Sequence, residues 1–427
     1  MPETGTAPVN GIRYTGLCSP KFRSCLLTLH FYVERTAEAA PVHALLTDLL
    51  TSSSAAYPEI SALALRLESL YAAEYSAKLS LCGDRAALVF TVSWLDDRYA
   101  LNGEKITDAV LELVLGCLLH PNAENGAFRA DAFRICRQNL LDDIDCVRND
   151  KREYALQQAA ALAYRGEPAA ISAHGERAEA EQITAESAYR LWQEILHTAF
   201  ADIVCVTPEP RPQIRETVLK ALSSVRRSAE PPAFCAPSPL KSAPAFASEQ
   251  MPLEQSKLVL AYKYSGVRRE VMAVFCGVLG WISDSLLFEN LREKQGLCYY
   301  CALQHAVTKQ TVFIDTGIDA VQAHAVQDAV REQILAMKNG AFTDDMMERA
   351  VLRYEYQTAA ATDAPDTAAE MAVIRHRLND SRSPAEFAAA MRRVTRAELT
   401  EAAERLRPDS VFLLRASGGE EAACDAC

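Results

Sequence analysis

The chain has 427 residues, a length that fits two or three domains of roughly 150 residues each. With 49% apolar and only 23% charged residues, it has too much core-forming material to be intrinsically disordered. A formal net charge of −12 argues against a phosphate-backbone binder, which needs a basic face, and against docking on an anionic membrane surface.

Met1 to Pro8 lacks both a basic n-region and an apolar core, so no secretory signal is expected. Ser24–Val33 alternates as a strand, with Leu27, Leu29, Phe31 and Val33 turned inward and Thr28, His30 and Tyr32 on a polar face expected in solvent. A helical stretch, Val42–Leu50, and a helix ending near Leu67–Leu70 follow. Then come strands at Glu74–Cys82 and Ala86–Trp94, and helices at Ile106–Leu119 and Ala130–Ile144. Thr184 stands where an N-cap would precede a helix, and Ala201–Val206 reads as a strand.

Between Ser228 and Pro252 lie six of the 19 prolines, which predicts an extended linker over 228–252. The expected division is a domain over 1–227, the linker, a second domain over 253–417 and a disordered acidic tail over 418–427. The second series of elements repeats the first. Ser256–Tyr264 is strand-like, and Val271–Leu287 is helical but interrupted by Gly277, Gly280 and Asp284, too broken to span a bilayer. A helix ending at Leu291–Lys294 precedes strands Leu297–Leu303 and Thr311–Thr316. Helices Val321–Met337 and Asp344–Thr358 follow, then Thr395 as an N-cap and the strand Ser410–Leu414. The pattern predicts an α+β fold of two homologous tandem domains, each an antiparallel sheet with helices on one face. The 13 cysteines are odd in number and mostly set in apolar runs, as in a cytoplasmic protein with reduced thiols.

Chemistry concentrates in Leu291-Arg-Glu-Lys-Gln-Gly-Leu-Cys-Tyr299. Gly296 suits the residue after a helix, and Arg292 and Lys294 suit its negative end. Arg292 before the turn and Tyr299 after it could converge, the guanidinium on peptide carbonyls and the phenol on a developing oxyanion. The same pattern fits a capping Arg and a packed Tyr. Cys298 and Cys301 would face opposite sides of a continuous strand, a poor arrangement for a metal or a disulfide. Cys424 and Cys427 sit on the acidic tail without a second ligand pair. The eight histidines contain no pair three to five residues apart, and no glycine-rich phosphate loop or nucleophile motif occurs.

The Leu291–Tyr299 segment resembles the Arg-x6-Tyr motif in the second domain of the insulinase-like (pitrilysin, M16) zinc peptidases, with their M16/LuxS metallohydrolase-like fold. It is most similar to the short two-domain, processing-peptidase type. The resemblance implies two subunits closing around an unfolded peptide, with Arg292 and Tyr299 on the substrate backbone across from a zinc ion. In that family the first domain carries His-x-x-Glu-His, whose histidines bind zinc from one helix face while the Glu acts as general base. The corresponding residues here are Ala44 to Asp48, with Ala44 and Asp48 at the imidazole positions and Thr47 at the base. His43 falls one residue early, about 100° around the helix. The distal family ligand would fall at Asp142. No metal and no cofactor are therefore expected in this chain.

The chain looks like an inactive paired subunit, some relatives of which are named for a link to elongation factor P modification. The expected role is the non-catalytic subunit of a heterodimeric M16-type metallopeptidase, beside a homologous His-x-x-Glu-His partner that alone holds zinc. The alternative is an inactive peptide-binding or assembly scaffold with no role in hydrolysis. An autonomous hydrolase with an unfamiliar site has no constellation to support it.

Overall fold

The computed structural model describes residues 3–5 along the backbone, 8–223, 225 and 230–417. The expected tail over 418–427, with Cys424 and Cys427, lies outside the described residues, as do 226–229 at the start of the expected linker. Two compact units are present, and both are interleaved in sequence. The first comprises Met1–Cys146, Ile171–Phe234 and Ala361–Asn379; the second comprises Val147–Ala170, Cys235–Ala360 and Asp380–Cys427. A boundary at the linker divides the chain into contiguous halves instead. The difference comes from two helices, one per half, that belong with the opposite sheet.

In the first unit the strands are β1 (Glu3–Gly5), β2 (Ile12–Cys18), β3 (Ser24–Glu34), β4 (Glu74–Cys82) and β5 (Arg85–Leu95). A small ribbon, β6 (Ala123–Glu124) and β7 (Ala127–Phe128), stands apart, and β8 (Phe200–Thr207) re-enters the main sheet. The sheet order is β1-β2-β8-β3-β5-β4, with β2 and β8 parallel and the other neighbours antiparallel. In the second unit β9 (Ala245–Met251), β10 (Ser256–Lys263), β11 (Tyr300–Ala306), β12 (Thr311–Ile318) and β13 (Arg407–Ala416) run in the order β11-β12-β10-β13-β9. Matched strand by strand this is the first unit's order without β1, including one parallel pair, β9 with β13. The duplication read from the sequence is thus a duplication of topology. The proline-rich stretch is not all linker, since β9 lies within it. Pro244 and Pro252 flank β9 and none lies inside, so an edge ladder forms there.

One face of each sheet carries helices from its own half. In the first unit these include α1 (Ala40–Ser52), α2 (Ile60–Ser69), α3 (Ile106–Leu119) and α4 (Ala130–Cys146). Phe31, Phe90 and the indole of Trp192 form an edge-to-face cluster in this core, and Trp192 Nε1 donates to the Leu118 carbonyl at 2.9 Å. The polar indole atom is thereby satisfied inside an otherwise apolar layer. Thr184 and Thr395 each form capping boxes, as their positions predict.

The other face is where the interleaving matters. Helix α5 (Lys151–Ala163) lays Tyr154, Ala155, Ala159 and Ala163 on Val259, Ala261, Phe313, Phe412 and Leu414 of the second sheet. In the first unit the helix Pro365–Arg377, here called α6, lays Ala368, Ala369, Ala372 and Val373 on Leu26, Val204 and Val206. Both helices are alanine-rich on the buried side, which lets a helix approach a sheet closely. Each ends at a network centred on a buried aspartate. His376 Nδ1 lies 3.1 Å from Asp202 on β8, which also takes a two-pronged contact from Arg13 at 2.6 and 3.1 Å. On β13, Asp409 pairs with Lys241 at 2.6 Å and Lys263 at 2.9 Å, and both lysines donate to the Ala163 carbonyl at the end of α5. Burial alone would raise the Asp202 pKa, but the bonds from His376 and Arg13 outweigh it and hold the carboxyl at about 2.

His30 is therefore not in solvent, as its polar strand face suggested. It is 6% exposed beneath α6, bonded to Thr28 Oγ1 at 3.0 Å and facing Arg377 at 3.3 Å. Local alternation cannot reveal a helix arriving from more than 300 residues away along the chain, as the His30–Arg377 separation of 347 positions shows.

Two predictions follow from this packing. Asp202→Ala strands Arg13 and His376 beside an emptied site, and should lower the unfolding free energy by about 3 kcal/mol in urea denaturation. The second concerns acid. Burial lowers the pKa of His30 to about 3, with Arg377 adding to the effect. Burial likewise lowers His43 to about 4 and, with Arg269, His305 to about 4. The folded imidazoles stay neutral where the unfolded ones, at an ordinary 6.5, take up protons. Stability is then complete above that value and lost as the pH falls toward about 4, with a slope of up to about three protons. Denaturation midpoints over that range should fall, and His30→Gln should make the fall shallower.

Candidate functional site

The first half's site lies on α1. Its residues Ala40 to Thr47 are all buried, so Ala44 contributes a methyl group to the core where the pattern asks for an imidazole. Thr47 is turned back on its own helix, its hydroxyl donating to the Ala44 carbonyl at 2.6 Å. Asp48 is half-buried. Burial raises its pKa, the charge of Asp143 raises it further, and His174 opposes both. The acid that acts on Asp48 from α4 is therefore Asp143. Asp142, the position expected from spacing, is exposed and accepts from Gln138 Nε2 at 2.8 Å one turn earlier. His43 is 3% exposed within the core.

This donor set does not fit zinc. Ala44 offers no donor atom, Thr47 at the base position has its hydroxyl turned to the Ala44 carbonyl, and Asp48 offers one carboxylate under the influence of another, Asp143. Among the described residues no group of three or more His, Cys, Asp and Glu side chains is placed to hold a metal ion. Without a ligand sphere there is nothing to lower the pKa of a bound water, and no general base where Thr47 stands.

The second half's site is built around a turn. Phe288–Lys294 winds as a π-helical segment, a form often found at functional positions. Asn290 supports it, its side-chain amide donating to the Leu286 carbonyl and to Gln333 Oε1, both at 2.9 Å. Leu291 is fully buried, and the next residue, Arg292, points outward with its guanidinium 5.0 Å from the Phe288 ring centre. Gly296 then reverses the chain at φ +61, a left-handed conformation that favours glycine. Leu297 N–H returns to the Leu291 carbonyl at 2.9 Å, closing the turn.

Tyr299 joins β12 through its N–H, which donates to the Gly317 carbonyl at 2.8 Å. Its ring is 52% exposed, so the packed-strand reading does not describe it. The hydroxyl donates to Asp319 Oδ1 at 3.2 Å, and that bond raises the phenol's pKa, keeping it a neutral donor. Arg292 and Tyr299 thus stand exposed on either side of one glycine turn, each with its own neighbour. Asn290 and Asp319, the residues that steady the pair, carry no sequence signal that marks them.

The two cysteines of this segment depart from expectation. Regular strand begins only at Tyr300, so alternation does not reach back to Cys298. Their side chains are hydrogen-bonded to each other. That bond and the nearby charge of Arg292 lower the Cys298 pKa, while the same bond and burial raise that of Cys301.

The chain combines a two-unit α+β fold, an exposed Arg-x6-Tyr turn and an α1 without imidazoles at Ala44 and Asp48. Residues 182–354 match the family described as Peptidase M16 inactive domain. Over 411 residues it is 23% identical to the "Probable inactive metalloprotease YmfF" of Bacillus subtilis (strain 168), covering 93% of this chain and 94% of that protein. The fold recurs in a conserved protein from Enterococcus faecalis V583, with a TM-score of 0.90, 23% identity and coverage of 98% of this chain and 100% of that one. It recurs also in a peptidase M16 inactive domain from Pseudomonas fluorescens, with a TM-score of 0.79, 15% identity and coverage of 99% and 100%. Among the described residues no helix is long and apolar enough to cross a membrane.

The α1 geometry makes a prediction about the chain alone. After equilibration with zinc and removal of excess, metal analysis should find far less than one equivalent, and Asp48→Ala should leave that content unchanged. A tightly held equivalent lost on Asp48→Ala would show that the carboxylate recruits ligands from elsewhere.

Proposed function

We propose that this chain is the non-catalytic subunit of a heterodimeric M16-type metallopeptidase. Its homologous partner would carry His-x-x-Glu-His and the zinc; this chain would supply Arg292 and Tyr299. The observation that carries the reading is the exposure of both side chains around the Gly296 turn, in a chain whose own α1 offers no zinc ligands. A chain serving only as a scaffold has no need of an outward guanidinium and phenol at the motif spacing.

In this role Arg292 donates to backbone carbonyls of an extended peptide, using the several donors of its planar fork. Tyr299, held as a neutral phenol, exchanges Asp319 for the oxygen on which negative charge develops. A preorganised donor of this kind acts mainly in the transition state.

Co-expression with a His-x-x-Glu-His homologue from the same genome should give a one-to-one complex by light scattering. In that complex Tyr299→Phe should lower kcat by roughly 10²–10³ with little change in KM. Arg292→Ala should raise KM as well, because its contacts form before chemistry. Neither substitution should disturb assembly. If Tyr299→Phe leaves turnover untouched in a folded complex, or if the chain forms only homodimers, the scaffold reading replaces this one.

A further inference from the structure

Cys298 and Cys301 bracket Tyr299 in the motif turn, and both are free thiols. On a straight strand their Cα atoms would stand about 10 Å apart, beyond the roughly 7 Å that a disulfide spans. The chain is not straight here. It bends at Tyr299, and regular strand starts only at Tyr300. Both side chains pack into the same core cluster of the second unit and meet in a hydrogen bond.

The two sulfurs have opposite surroundings. The hydrogen bond from Cys301 lowers the Cys298 pKa against the effect of burial, and the Arg292 charge lowers it further. The same bond raises that of Cys301, as do burial and the charges of Cys298 and Asp315. Cys301 is thus the donor, and Cys298 is where a thiolate forms. Elsewhere burial drives thiols the other way, as at Cys25, Cys117, Cys205 and Cys276. The backbone is asymmetric as well. Cys301 is held in β11 opposite Thr316, whereas Cys298 lies in the irregular segment after the Gly296 turn, where a small movement can close the gap. A thiol of lowered pKa beside a resolving thiol is the arrangement of a reversible redox site.

We infer that Cys298 and Cys301 form a reversible disulfide with hydrogen peroxide as the oxidant, closing a small ring around Tyr299 and Tyr300. The Cys298 thiolate attacks one peroxide oxygen, the O–O bond breaks, and the departing hydroxide takes up a proton to leave as water. Cys301 then attacks the sulfur of the Cys298 sulfenic acid. The S–O bond breaks, and the hydroxyl leaves as a second water with the Cys301 proton. The two thiols lose two electrons and two protons, and the peroxide gains them. At 7% exposure Cys298 is closed to bulky disulfides, whereas peroxide is little larger than water. The modification does not depend on the role proposed for Arg292 and Tyr299.

Peptide mapping of the full chain by mass spectrometry tests this. The tryptic peptide Gln295–Lys309 contains these two cysteines and no other. After brief treatment with hydrogen peroxide and then alkylation, it should be recovered unalkylated and lighter by two hydrogens than the reduced peptide. Dithiothreitol should restore both thiols. The bridge should form at least about tenfold faster than the exposed thiols of Cys146 and Cys235 are lost, because the thiolate is the reactive form. Cys301→Ser should leave the Cys298 sulfenic acid to be trapped by dimedone, and Cys298→Ser should give no adduct at Cys301. A peptide still alkylated at both cysteines, a sulfinate at Cys298 without a bridge, or oxidation no faster than at Cys146 and Cys235 overturns the inference. Those three readings use the unmodified protein and hold even where a variant fails to fold.

Discussion

A buried carboxylate at the same place in each sheet is the constraint on which the fold depends. Asp202 on β8 and Asp409 on β13 occupy matching strands, and each is fully enclosed. Neither is tolerable alone, because a carboxylate removed from water needs cations and donors around it. In the first unit Arg13 and, from the last turn of α6, His376 meet Asp202; in the second Lys241 and Lys263 meet Asp409 and also donate to the Ala163 carbonyl that ends α5. The helix end at each of these networks, bonded directly to Asp202 in α6 and through the two lysines in α5, is thus held in place. Its alanine face then covers a second side of the sheet that a single half would leave in water.

That arrangement separates stability from chemistry in the duplicated fold. The helix α1 needs its buried face for the core, and Ala44 and Thr47 serve the core and the helix backbone well. Nothing in the packing requires zinc ligands there. The second half is the reverse case. Arg292 and Tyr299 contribute little to the core, and the structure invests a π-helical segment, a left-handed glycine and the side chain of Asn290 in presenting them. The same topology carries a core-facing helix without imidazoles at Ala44 and Asp48 in one half and an outward-facing pair in the other.

Much of this was legible locally. Period-two runs such as Ser24–Val33 and Ser256–Tyr264 became β3 and β10 because their side chains alternate between packed faces. Thr184 and Thr395 cap helices because a hydroxyl can meet a free N–H whatever lies further off. Where the reading missed, a partner remote in sequence had decided the matter. His30 has the pattern of an exposed residue and is covered by α6; β9 sits inside a proline-rich stretch because β13 offers it an edge. The helices α5 and α6 gave little periodic signal, since an alanine-rich face is small enough to pass for no face at all. Cys298 was assigned by alternation to a strand that had not yet begun.

The sequence by itself determined the repeated order of strands and helices, the proline-rich break, the glycine turn between Arg292 and Tyr299, and the lack of imidazoles at Ala44 and Asp48. These rest on residue type and short-range spacing, which the chain carries in any conformation. Only the tertiary structure decided which sheet each alanine-rich helix covers, that Asp143 rather than Asp142 acts on Asp48, and that Tyr299 is exposed and bonded to Asp319. Each of these depends on which side chains meet after hundreds of residues of intervening chain have been folded away, and burial and charge pairing act through space without regard to sequence distance.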